Sequence, residues 1–289
     1  MSAFPAVPVY DIDGAYDRLL LEYHFDGQTD EELLATHLDR ITDGRPLTVL
    51  ELGCGTGRMT TVLLGHSSDL ICVEPSDAML AAFRRRHPHL DPMLADARTA
   101  VDDLASRKPS AAFDLVAAFW SLNYPLLSCF ETNDGQRITP LEHTTGLSNA
   151  HAFLHQLMTL VAPGGHLLAF FFDTESAEQR LVTRLWERIA PFPGTGRDYT
   201  RTLLLDTLQT AHNAGAGTLH HHHVHGYAGD ASPQAARDYI LRQHLRGFPG
   251  LADAPEIQTQ VAAFVDEHTA SNGIVRIPAG MHLIDWHRA

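Results

Sequence analysis

The chain has 289 residues, and its 35 acidic and 21 basic side chains leave a formal net charge of −14. A hydrophobic content of 44% with 19% charged residues excludes wholesale disorder, and a chain this long can bury a core without disulfide staples. The acidic balance argues against a nonspecific grip on nucleic acid, which needs clustered Lys and Arg to neutralise phosphates.

The opening segment, MSAFPAVPVYDIDG, has neither a basic start nor an apolar run of signal-peptide length. No window approaches a membrane span, so the expected setting is cytoplasmic. Three cysteines (Cys54, Cys72, Cys129) form an odd set without paired metal spacing and read as buried free thiols.

Residues 14–41 carry apolar side chains at helical spacing (Tyr16, Leu19, Leu20, Tyr23, then Leu33, Leu34, Leu38, Ile41), which predicts two helices broken at Asp26–Asp30, with Thr29 as N-cap. Short apolar runs then alternate with helical patterns. The runs are Leu47–Leu52, Leu70–Val73, Pro92–Leu94, Phe113–Phe119 and His166–Phe172. The helical patterns are Met59–Leu64, Ala78–Arg86 and Ala150–Val161. Continuous apolar strands separated by helices predict an α/β fold with a mostly parallel sheet flanked by helices. Right-handed crossovers put the strands' carboxyl ends on one edge, where ligands of such sheets bind.

The polar stretch 125–149 reads as a long loop leaving the fourth strand, and a substrate-facing lid is the favoured role. Beyond Asp173, Ala177–Ile189 is amphipathic and helical, residues 191–196 form a loop, and Thr200–Thr210 suits a strand or a helix. Thr218–Tyr227 reads as a strand, Ser232-Pro233 opens a helix, Pro255–His268 is another, and a terminal strand runs near Ile274–Trp286. The expected organisation is an N-terminal helical cap over 1–45, a ligand-binding core over 46–175, and a C-terminal completion of the sheet with a substrate-side insertion over 176–289. All three parts form one integrated domain.

The most informative segment is Val49-Leu50-Glu51-Leu52-Gly53-Cys54-Gly55-Thr56-Gly57-Arg58, a G-x-G-x-G turn straight after a buried strand. Glycine permits positive φ and close ligand approach, but dinucleotides, nucleotides and sulfonium cofactors all use such turns. Glu51 discriminates among them, because a phosphate loop avoids a carboxylate there while a cationic amino-acid group favours one. The dinucleotide spacing and the Gly-Lys-Ser/Thr of a phosphate loop are both absent from this turn. Glu74 ends the second strand and can accept hydrogen bonds from a ribose diol. Asp96, after the third strand, suits an exocyclic amine.

With VLELGCGTG, ICVEPSDAML, LADAR, FDLVAAFWSLNY and LVAPGGHLLAF in register over 47–172, the sequence resembles the class I S-adenosylmethionine-dependent methyltransferases of Rossmann-like fold. The resemblance implies that Gly53, Gly55 and Gly57 bring backbone against the cofactor, with the Glu51 region near its methionyl amine. It implies Glu74 on the ribose, Asp96 and Ala97 at the adenine, and Phe119 beside the cofactor, with S-adenosyl-L-homocysteine as product. Cys54 stands where the family tolerates small residues, so a catalytic thiol is not expected.

Hydroxyl and carbon nucleophiles usually need a base, whereas a neutral amine needs little beyond positioning. The candidate bases are Tyr16, Tyr23, Tyr124, His143 and His151, with His24, Glu131 and Glu142 also in reach of the cap or lid. His143 and His151 are expected near the methyl position. The run Leu219-His220-His221-His222-His223-Val224-His225 sends 221, 223 and 225 to one strand face. No coupled Asp, Glu or Cys spacing accompanies it, so a wet sheet face is expected and no metal site. Ser121-Leu122-Asn123-Tyr124-Pro125 lacks the paired prolines of nucleic-acid amino methyltransferases. The expected acceptor is a small molecule of secondary metabolism, with no nucleic acid or membrane partner and with homo-oligomerisation left open. A cofactor-binding scaffold or cyclase on the same fold is the alternative.

Overall fold

The computed structural model describes residues 14–107, 113–133, 137–189, 198–245 and 248–289. Residues 1–13, the expected loop at 191–196 and positions 134–136 of the long connection lie outside the described residues.

Strands β3 (Leu47–Leu52), β4 (Ser67–Glu74), β5 (Met93–Leu94), β6 (Phe113–Phe119) and β9 (Val161–Phe172) pair in parallel, with spatial order β5-β4-β3-β6-β9. β11 (Val275–Arg288) adds antiparallel to β9 and β10 (Gly217–Ala231) antiparallel to β11, completing one sheet with β1 (Glu22–Phe25) and β2 (Gln28–Thr29) at its far edge. The central strands are buried along nearly their whole length because both faces are covered. One core packs Leu34, Leu38, Leu63 and Phe170 on one face, and another packs Val116, Leu154, Leu204 and Ile284 on the other. Each fully buried Leu contributes about 1.5–3 kcal/mol relative to exposure. The three cysteines are free and buried, as expected.

Helices α1 (Ala15–Leu19), α2 (Asp30–Thr42), α3 (Arg58–Leu64), α4 (Asp77–Arg86) and α5 (Ala97–Arg107) precede β6. Helices α6 (Asn123–Leu127), α7 (His143–Leu160), α8 (Ala177–Trp186), α9 (Asp198–Asn213), α10 (Pro233–Asp238), α11 (Pro249–Ala252) and α12 (Pro255–Glu267) follow it. A π turn, Tyr239–His244, continues α10. Thr29 caps α2 as expected, in a full capping box with Glu32.

Three expectations are corrected. The N-terminal cap is not purely helical. Tyr23 and Phe25 are buried while Glu22 is exposed, a period of two, and β1 pairs with β10. Asp26 (φ 51°) and Gly27 (φ 80°) make the hairpin turn into β2, an Asp-Gly signal that outweighs four residues of helical spacing. The 125–149 connection is not a bare loop. It holds α6, a small hairpin of β7 (Glu131–Asn133) and β8 (Ile138–Pro140), and the start of α7. Of the two forms that Thr200–Thr210 suits, the helix is the one observed, within α9. The strand expected at His166–Phe172 begins earlier, at Val161, so that Pro163-Gly164-Gly165 lies inside β9 and skips the pairing from Phe113↔Val161 to Leu115↔His166.

Candidate functional site

The carboxyl ends of β3, β4 and β6 form one corner. Gly53 has φ 76°, and a Cβ there would stand 2.4 Å from the Ser121 Cβ. Ser121 is fixed by donating to the Leu52 carbonyl at 2.6 Å, so the turn after β3 tolerates only glycine at this point. Glu74 is buried and accepts from Gly55 N–H (3.0 Å) and Ser76 N–H (3.0 Å). A carboxylate offers about four lone-pair positions, so two remain for a vicinal diol. Burial pushes the Glu74 carboxyl up to about 7 against the lowering effect of those two N–H groups.

Glu51 is turned beneath the glycine turn, accepting from the Thr60 hydroxyl at 2.6 Å and contacting the Cys72 thiol. Burial raises it to about 7 as well. Asp96 is exposed and N-caps α5, taking Thr99 N–H (3.0 Å) and the Thr99 hydroxyl (2.7 Å). Partial burial raises its pKa, but the Thr99 bonds and Arg98 outweigh that and hold the carboxyl below its ordinary range. Ala97 begins α5 beside it. Phe119 is core: it packs edge-on against Phe170 with 4.8 Å between ring centroids.

Trp120, at φ 60°, is the side chain that the end of β6 presents here. Its indole N–H donates to Asp30 at 2.9 Å, and Asp30 holds a two-pronged ion pair with Arg58. The Trp120 ring lies 4.5 Å from Phe172 and stacks on Tyr23 at 5.7 Å. Behind Tyr23 sits a buried polar cluster. Glu178 Oε1 accepts from the Tyr23 hydroxyl (2.6 Å), the Tyr239 hydroxyl (2.9 Å) and His244 Nε2 (2.7 Å), and the two tyrosine hydroxyls share a further short contact. Glu178 is 1% exposed, yet its Oε2 is buried without a hydrogen-bond partner. Burial first, and then Glu178, raise both phenols well above their ordinary range, so they are proton donors. Tyr16 lies in α1, which is tied to the glycine turn by the Thr56 hydroxyl donating to Asp17 at 2.6 Å and which packs against the π turn.

Of the expected bases, the structure brings Tyr16 and Tyr23 to this corner, and Tyr124 follows it in α6. It does not bring the others. His151 contacts Thr207 on α9, the exposed His143 ring lies tilted 5.6 Å from Phe130, Glu142 caps α7, and His24 pairs with Glu22 at the far edge of the sheet. Glu131 is buried in β7. Sequence reading missed Glu178, Tyr239 and His244. Residues five apart sit about 140° apart around an α-helix, and the π turn is what brings the Tyr239 and His244 rings to 4.7 Å. A groove between α10 and α12, lined by Arg237, Arg242 and Gln258, shares none of these side chains.

Residues 49–131 match the family described as a methyltransferase domain. No curated protein matches the chain. Among solved structures, the YcgJ protein of Bacillus subtilis aligns with a TM-score of 0.50 at 11% identity, over 89% of this chain and 97% of that one. The N-methyltransferase NodS of Bradyrhizobium japonicum WM9 aligns at 0.43 and 13% identity, over 90% and 97%. Its complex with S-adenosyl-L-homocysteine aligns at 0.42 and 14%, over 89% and 86%. Residues 49–131, which hold the glycine turn, Glu51, Glu74 and Asp96, thus match a methyltransferase domain and lie in a Rossmann-like α/β fold.

Proposed function

We propose that this enzyme methylates a small-molecule acceptor, an amine by preference over a hydroxyl, with Glu178 receiving the acceptor's proton. One observation carries the reading: a buried carboxylate with one oxygen saturated by three donors and the other without a partner, against an aromatic wall of Tyr23, Trp120 and Phe172. A buried acceptor without a donor calls for an explanation, and a donor on the acceptor molecule supplies one. Aromatic faces and a carboxylate together hold an ammonium better than a neutral hydroxyl, and once Glu178 takes its proton the amine nitrogen has the lone pair that transfer requires.

When bound, S-adenosylmethionine supplies an electrophilic methyl carbon on a sulfonium. In this reading Gly53, Gly55 and Gly57 let it approach the backbone, and Glu74 holds its ribose diol. Asp96 and Ala97 border its adenine, and the Glu51 region faces its methionyl amine. The chain's own work is then alignment and exclusion of water. Tyr23, Tyr239 and His244 pin Glu178 Oε1, which leaves Oε2 to take the N–H or O–H proton that the nucleophile sheds. Tyr16 and α1 cover the cofactor end.

Calorimetry with S-adenosylmethionine and S-adenosyl-L-homocysteine should give binding of both, and a methyl-donor assay on matched amine and hydroxyl panels should give product chiefly from amines. Binding without methylated product from either panel sinks the reading. Product from hydroxyls alone removes the amine preference.

A further inference from the structure

The face of the sheet opposite Glu178 holds a second cluster. Alternation along β10 sends His221, His223 and His225 to one side, and β11 pairs His223 with His282 and His225 with Gly280. β9 ends across β11 at Phe172, and the next residue, Asp173, reaches back over the intervening strand. Strands lie about 4.8 Å apart, so Asp173 and the histidines stand two spacings from each other. Gly280 opens the way, because a Cβ there would lie 2.7 Å from Asp173 Oδ2. The sequence gives no hint of this meeting, since Asp173 and His223 are joined only through strand order.

We propose that Asp173, His223 and His225 bind a divalent transition-metal ion of the zinc class. One ligand atom from each lies within 4.8 Å of the other two, and His223 Nε2 is 3.0 Å from Asp173 Oδ2. Zinc bonds of about 2.0–2.2 Å to nitrogen and oxygen set ligand atoms roughly 3.3 Å apart around a tetrahedron, so that pair already sits near coordination distance. The exposed His225 side chain closes the remaining gap by rotation. Two imidazoles and a carboxylate form a zinc-type ligand set with one position left for water.

The surroundings hold these ligands in order. Asp173 Oδ1 accepts Glu175 N–H at 2.9 Å, which leaves Oδ2 facing His223. The His223 ring stacks on His282 at 4.4 Å with 12° between planes. His282 itself is spoken for: its Nε2 meets Arg201, and its Nδ1 bonds His221 Nε2 at 2.9 Å. Those bonds keep His282 and His221 out of the ligand set, and the His282 ring supports His223 by stacking. Arg201 is in turn paired with Asp198. The ion ties β10 to the junction of β9 and α8.

The test is titration of zinc chloride into the chelator-treated full chain, followed by calorimetry and by thermal melting. The wild type should take up about one zinc and melt at higher temperature with it. Asp173→Asn and His225→Ala should each weaken binding at least tenfold. The double variant His220→Ala with His222→Ala, on the other face of β10, should bind as the wild type does. No uptake by the wild type overturns the proposal. So does undiminished binding by Asp173→Asn, or equal loss in the His220/His222 variant, either of which reduces the effect to chelation by a histidine-rich strand.

Discussion

The proposed cofactor end draws its polar groups from one stretch, Glu51 to Asp96, each at or near the end of one of three successive parallel strands. The Glu178 cluster instead joins groups that are 155 and 61 positions apart in the chain, and Tyr23 meets Tyr239 across 216. The difference is also chemical. At the proposed cofactor end, backbone N–H groups of Gly55 and Ser76 hold Glu74. At the proposed acceptor end, side chains hold Glu178 Oε1. Backbone geometry follows from a local motif, so the first end is common to a fold. Side-chain assemblies over long range can be changed one residue at a time, so the second end can carry the individuality of one enzyme.

The sharpest way to break this division is Glu178→Gln. It keeps an oxygen for the three donors but removes the proton acceptor. Turnover should fall about a hundredfold or more, the range of general-base contributions, while S-adenosylmethionine affinity changes less than about twofold. Equal losses in both would mean that the two ends are one unit. At the cofactor end, Glu74→Ala should weaken S-adenosylmethionine by about 1.5–3 kcal/mol, roughly ten- to hundredfold in calorimetric Kd. Unchanged affinity would remove Glu74 from the site.

A pH dependence sharpens the same assignment. Burial raises Glu74 to about 7 in the free protein, so its carboxyl is largely protonated below that pH. Two hydroxyl donors favour the carboxylate, hence the pKa falls on binding and a proton is released. Affinity should therefore drop by up to about tenfold per unit as pH falls below 7, and level off above it. Glu51 also titrates at about 7, so the control is Glu74→Gln. A profile that flattens in this variant belongs to Glu74, and one that persists belongs to Glu51.

What could be read from the sequence follows from the same contrast. Val49 to Arg58 states its own geometry, because a buried strand followed by spaced glycines can do little else. The parallel order of β3, β4 and β6 follows from alternating strand and helix periods. Glu22–Phe25 misleads because helical and strand spacing coincide over four residues, and only pairing with β10 decides between them. Tyr239 and His244 were out of phase for an α-helix, and nothing in YILRQH announces a π turn. Asp173 meets the histidines of β10 through strand order and a missing Cβ at Gly280, neither of which is a spacing along the chain.

The smallest expected effect lies where the two ends meet. α1 is latched over the glycine turn: Asp17 accepts the Thr56 hydroxyl at 2.6 Å and Arg86 at 2.9 Å, and Arg86 also reaches the Thr56 carbonyl at 3.0 Å. The ion pair is partly exposed, so it contributes only about 0–1 kcal/mol. If α1 is a cover that opens for cofactor exchange, Asp17→Asn should speed S-adenosyl-L-homocysteine dissociation by up to about fivefold, the rate equivalent of 1 kcal/mol, and leave the methyl-transfer step unchanged. Stopped-flow dissociation against single-turnover rates separates the two. An unchanged off-rate means exchange does not pass beneath α1. A loss in the single-turnover rate means that α1 orders Tyr16 for the reaction, so that the cap belongs to the acceptor end as much as to the cofactor end.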